Sequence, residues 1–241
     1  MINMKKFLQK YVVVMLLIAM VCPSITVDAK QLTKETSTEK IIVIDPGCQQ
    51  TENTRKEAIG PGAFKLTEQA TSGQVGENGT CEYELNLKIA LKLQAILGKQ
   101  GYTVLLTRNT NDVDLSYSGR AMIANTANAD IFIAIATGDN NGVSVICQSE
   151  DNPYNYGNYN NARLLSDTIL GSVVQKVDCN NLGVTENDEQ PIINWCASPT
   201  ALVEIGNLTD ADEEEKLVTD EYQILIAQGI ANGVDSYFSQ K

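Results

Sequence analysis

The 241-residue chain contains no histidine. That absence excludes Ser-His-Asp hydrolysis, Cys-His thiol catalysis and the commonest zinc sites, all of which need an imidazole as base or ligand. Aromatic residues make up only 6% of the chain, and basic residues are outnumbered, 18 Lys and Arg against 30 Asp and Glu. No Cys-x-x-Cys pair occurs, so neither a zinc ribbon nor a thioredoxin-type redox motif is signalled. Chemistry in this chain has to come from carboxylates, thiols, hydroxyls, amides and backbone.

What is present begins with an export signal. Lys5, Lys6 and Lys10 precede an apolar run from Tyr11 to Cys22, and the segment ends near Val27-Asp28-Ala29. Residues 1–29 are read as a secretory signal peptide, with an uncleaved membrane anchor as the alternative, because twelve apolar residues are short for a bilayer. Removing them takes away three lysines and one aspartate, leaving 15 positive and 29 negative charges, a net of −14. A charge of that sign repels phosphate backbones, so no nucleic-acid partner is expected. The expected location is secreted or cell-wall associated. Five cysteines remain, Cys48, Cys81, Cys147, Cys179 and Cys196, and export leads us to expect that some of them pair.

Residues 30–39 form a polar lead-in, and one domain is expected over 40–241. The β-branched run Ile41 to Ile44, stopped by Asp45-Pro46-Gly47, predicts a buried strand. Gln49 to Thr80 reads as a long polar loop. Apolar residues at Leu85, Ile89, Leu93, Ile96 and Leu97 predict a helix over 82–99. Strands are then expected at 102–107, 131–135, 143–147, 192–195 and 201–205, with helices at 116–128, 162–177, from 211, and 221–238. The alternation points to a single α/β domain with a twisted, mostly parallel sheet flanked by helices.

The segments Ile41 to Gly47, Leu85 to Ala90, Gly101 to Arg108, Arg120-Ala121 with Ala124-Asn125, Ala129 to Ile133 and Leu202 to Gly206 carry a resemblance in order and spacing. They resemble zinc-dependent N-acetylmuramoyl-L-alanine amidases of the cell-wall hydrolase type 3 family. Details such as Ile59 to Ala63 and Ile193 to Cys196 are similar to a clostridial-type, Gram-positive branch. The resemblance implies the amidase type 3 fold and peptidoglycan as the partner. It also implies one zinc held by two histidines and a glutamate, with a second glutamate as general base. Carried over position by position, the ligands fall on Cys48, Glu82 and Ala136, and the base on Glu204.

Both carboxylates are kept and both imidazoles are gone. The expectation is a zinc-less, degenerate amidase that binds peptidoglycan glycopeptide or regulates an active envelope partner. Two alternatives are an active amidase with a metal on Cys48, Glu82 and a third ligand such as Asp139, and a protein-interaction module of the envelope. Cys48 has further readings: a nucleophile with Glu204 as base, a structural thiol, or a disulfide with Cys81. Glu82 can also serve the helix dipole, worth about 0.3–1 kcal/mol. Glu204 interrupts an apolar strand, where a buried carboxylate needs a partner; a functional role and a structural pairing with Arg108 or Arg120 stand as equal alternatives. Tyr154, Tyr156 and Tyr159 suit either sugar recognition or a solvated loop; the substrate-binding residues are otherwise unknown.

Overall fold

The structure is a computed structural model that describes residues 39–155 and 157–241. The expected signal peptide, most of the lead-in and Tyr156 lie outside the described residues. Among the described residues no helix is long and apolar enough to cross a membrane.

Among the described residues there are eight strands: β1 (Ile41–Pro46), β2 (Asn53–Ala58), β3 (Leu66–Ala70), β4 (Thr103–Leu106), β5 (Ile131–Gly138), β6 (Val143–Cys147), β7 (Asn181–Glu186) and β8 (Thr200–Asn207). The same residues form six helices: α1 (Glu82–Lys99), α2 (Tyr117–Thr126), α3 (Tyr159–Val177), α4 (Pro191–Asn194), α5 (Ala211–Leu217) and α6 (Asp220–Ser239). The main sheet has the order β4-β1-β5-β8-β6-β7. The first four strands are parallel, whereas β6 is antiparallel to β8 and parallel to β7. The expected fold class therefore holds.

Alternation along the buried strands divides the core in two. Ile42, Ile44, Ile133 and Ile135 face α1, α3 and α6. Val43, Phe132 and Ala134 face the opposite side, where α2 and α4 cover them. α6 approaches α3 closely because Gly229 and Gly233 have no side chains. A Cβ at either would stand 2.7 Å from Val173 Cα or 2.5 Å from Ile169 Cα.

Four expectations differ from the structure. The polar stretch 49–80 contains the antiparallel hairpin β2–β3, whose strands are largely exposed. β7 is an added edge strand of polar sequence. Residues 192–195 belong to a short helix and its C-cap because Pro191 starts it, a position where the missing N–H has no cost. α3 begins three residues earlier, at Tyr159.

A parallel sheet directs its strand C-termini to one edge, where ligand sites of open α/β sheets form. β1 ends there at Asp45-Pro46, β5 at Thr137-Gly138 and β8 beyond Glu204, while α1 starts above them at Glu82.

Candidate functional site at the carboxyl edge of the sheet

The turn after β1 is fixed by two buried arginines. Arg120 gives its five N–H donors to Leu115 O, Asp45 Oδ1 (2.9 Å), Pro46 O, Cys48 O and Gln49 Oε1. Arg108 likewise reaches Pro46 O, Gly47 O, Tyr83 O, Thr110 O and Asn111 Oδ1. Guanidinium has no further donors, so both cations are saturated. Burial and the neighbouring Arg120 charge bring Arg108 down to about 10. Gripping three successive carbonyls holds Cys48 at φ 62°, a left-handed conformation that L-residues other than Gly, Asn and Asp seldom adopt.

Glu82 opens α1 and is almost fully buried. Its Oε1 accepts from Thr137 N (2.9 Å) and its Oε2 from Gln74 N (2.8 Å), with Asn86 Nδ2 at 3.4 Å from Oε1. The Thr137 amide is available because the β5–β8 register slips between Ala136 and Gly138, which releases one N–H from the ladder. Cys48 lies beside Glu82. Gly73 packs against both, since a Cβ there would stand 2.5 Å from Glu82 Oε2 and 2.8 Å from Cys48 Sγ. Burial, reinforced by the Glu82 carboxylate, pushes the Cys48 thiol well above its ordinary range. A thiol held protonated this way fits a structural role and not that of a nucleophile.

Glu204 stands directly opposite Ala136 in the β5–β8 pairing and opposite Ser144 in the β6–β8 pairing. Its partner is the Ser144 hydroxyl, which donates to Oε2. Burial raises the Glu204 carboxyl above the usual glutamate range; the Ser144 bond opposes this, and negative charge on Asp139 and Glu82 adds to it. The structural alternative, an arginine partner, is a correction. Arg120 is drawn instead to the buried Asp45 and Arg108 to the turn carbonyls.

The structure thus brings Cys48 and Glu82 together and sets Ala136 against Glu204. Asp139 is exposed, and its carboxylate accepts from Gln74 Nε2 at 2.9 Å. Among the described residues no three Cys, Asp or Glu side chains gather as a metal site. The zinc implied by the resemblance does not fit this donor set: Ala136 offers no donor, leaving one thiol and one carboxylate where three protein ligands are needed.

Cys48 and Cys81 are both free thiols, as are Cys147, Cys179 and Cys196, so the expected pairing is absent among the described residues. Tyr154 packs its ring against Gly60 of the hairpin, and Tyr159 donates to Glu186 at 2.7 Å. Both therefore act in packing the loop and helix start. Two residues of the site were not visible in sequence. Ser144 reads as part of an apolar strand. Tyr117, at the start of α2, is pushed up to about 12 by burial.

Known proteins are similar to this chain in sequence and in fold. YqiI of Bacillus subtilis is 32% identical over 171 residues, which cover 70% of this chain and 80% of that protein. LytC of Bacillus subtilis, an N-acetylmuramoyl-L-alanine amidase, is 30% identical over 169 residues, covering 69% of this chain but only 33% of LytC. The chain therefore spans about a third of LytC's length. The crystal structure of an N-acetylmuramoyl-L-alanine amidase from Clostridium difficile 630 superimposes with a TM-score of 0.69 at 26% identity, over 85% of this chain and all of that one. Residues 42–236 match the Amidase_3 family model, N-acetylmuramoyl-L-alanine amidase, and the chain belongs to that family.

Proposed function

We propose that the protein is an exported, zinc-less amidase homologue that binds peptidoglycan glycopeptide, or regulates an active envelope partner, without cleaving the muramoyl–L-alanine bond. The observation that carries this reading is the Ala136–Glu204 pair. A carboxylate at the family's general-base position faces a methyl group where a metal ligand belongs. A carboxylate base has no activated water to work on when no group binds and polarises that water.

The remaining parts of the edge support binding. Glu82 is held by two backbone amides and the Cys48 turn by two saturated arginines, so the surface is rigid without any metal. Rigid, preformed sites lose less entropy on binding.

Elemental analysis of the purified protein, paired with incubation on cell walls, tests the reading. The expected outcome is sub-stoichiometric zinc, sedimentation with peptidoglycan, and no release of stem peptides. Stoichiometric zinc, or stem release at the rate of an active amidase, would overturn it.

A further inference from the structure

Residues 71–80 run as a strap over the carboxyl edge of the sheet, between β3 and α1. Both ends are fixed in the body, since Ala70 closes β3 at 1% exposure and Glu82 is buried at the start of α1. Between them the strap buries almost nothing apolar. Val75 is its one apolar side chain, and that residue is 60% exposed. Apolar burial therefore does not hold the strap down, and its attachment depends on hydrogen bonds.

Three carboxylates of the body supply most of them. At the inner end Gln74 N donates to Glu82 Oε2, Gln74 O accepts from Glu82 N (3.0 Å), and Gln74 Nε2 donates to Asp139. This brings Gly73 down onto Glu82 and Cys48. The outer latch is Glu214 of α5, which is 1% exposed. Its Oε2 accepts from Asn78 N (2.8 Å) and Asn78 Nδ2 (3.2 Å), and its Oε1 from Thr80 N (3.1 Å). Gly76 makes that grip possible, because a Cβ there would stand 2.3 Å from Glu214 Cδ. The strap also closes its own turn, with Gly76 N donating to Thr80 O and Gly79 N to Gly76 O, so its outer half is held together as a unit.

The floor beneath does not need the strap. Without it Glu82 Oε1 still accepts from Thr137 N, and the Cys48 turn is still gripped by Arg108 and Arg120. A segment that covers a preformed floor and adds no apolar burial belongs to the low-stability class from which lids are drawn.

We propose that residues 71–80 are an autoinhibitory strap. Latched by Glu214, the strap keeps ligand off the Cys48–Glu82 floor, and it must lift before the edge can be engaged. The inhibition rests on the glycopeptide-binding reading, whereas the motion does not.

Alkylation of the folded full chain by iodoacetamide, followed at Cys48 and Cys147, reads the motion. Cys147 is fully buried in β6 and reports global unfolding. When reclosing outpaces alkylation, the Cys48 rate follows the open population. Glu214→Ala should raise that rate about tenfold, the scale of a lost hydrogen bond to a charged group, and leave Cys147 unchanged. Gly76→Ala should act alike from the strap's side, because its methyl displaces the Glu214 carboxylate, and it serves where Glu214→Ala does not fold. Glu215→Ala, exposed next to the latch, should change neither rate. An unchanged Cys48 rate in the latch variants, or Cys48 and Cys147 rates raised alike, would overturn the strap.

Sedimentation of the same proteins with peptidoglycan tests the inhibition. A tenfold larger open population should tighten retention of Glu214→Ala about tenfold over the parent. Faster Cys48 alkylation with equal retention of variant and parent would overturn the inhibition while the glycopeptide reading stands. If neither protein is retained although Cys48 is opened, the glycopeptide reading itself fails and the inhibition with it.

Discussion

Two knots of buried polar groups lie in this domain, and only one of them is closed. In the knot under the hairpin, Asn194 Nδ2 donates to Ile59 O and Asp188 O, and its Oδ1 accepts from Asn152. Asn152 Oδ1 accepts from Tyr154 N and Asn155 N, and Asp188 takes the amide and hydroxyl of Ser149. Every polar side-chain atom of Asn152, Asp188 and Asn194 is used. At the carboxyl edge of the sheet, by contrast, acceptors are orphaned and carboxylates outnumber cations. A closed knot fixes structure. An open one, with unpartnered acceptors and carboxylates that no cation meets, fixes its residues less completely.

The largest effect is expected where the open knot is anchored. Arg120→Met removes the one salt-bridge partner that Asp45 has among the described residues, in a pair that is 1% exposed on both sides. An unpaired buried carboxylate costs about 3–5 kcal/mol, so urea unfolding should shift by that much. Adding Asp45→Asn should recover part of the loss, because the stranded charge is then gone. A loss below about 1 kcal/mol would show that water reaches Asp45 and that the clamp is not dry.

Asn194→Ala should come next, at about 2–3 kcal/mol, since it strands two carbonyls and one amide. Its effect should be regional. Hydrogen exchange should quicken in β2 and β3, which are tied down by Asn194 at Ile59 O and by the Trp195 indole at Ala58 O, while β1 and β5 stay protected. Uniform loss of protection across the sheet would erase the distinction between the two knots.

Sequence legibility followed the same divide. α1 was expected at 82–99 and is found there because its apolar spacing is local information. β1, β5, β6 and β8 are legible for the same reason, as runs of buried β-branched residues. The hairpin was not, because Asn53–Ala58 is polar and is held by donors from residues about 135 positions away. Cys48, Glu82, Ala136 and Glu204 were placed by motif order, and the structure sets them at one edge. The Ser144 partner of Glu204 was missed because cross-strand pairing is a long-range event that spacing does not encode. The alternative that paired Glu204 with Arg108 or Arg120 is not realised because Asp45 and the turn carbonyls take those donors.

The smallest effect on stability is expected at Glu204, which is only half-buried, so solvent screens much of its charge. Its folded-state pKa is raised by burial and by its acidic neighbours Asp139 and Glu82, so the native state holds the proton more tightly than the unfolded chain does. Stability from this group is therefore full below the ordinary glutamate range and is lost as pH rises through the raised value. Glu204→Gln removes the titration while keeping a group that can accept from Ser144. At neutral pH the variant should melt at the same temperature as the parent or higher, and that advantage should shrink as pH falls to about 4, near the ordinary glutamate pKa. Thermal melts of both proteins across that range read the difference directly. A variant that is less stable at pH 7 would mean that the charge on Glu204 is already compensated inside the protein, and the edge would then be as closed as the knot around Asn194.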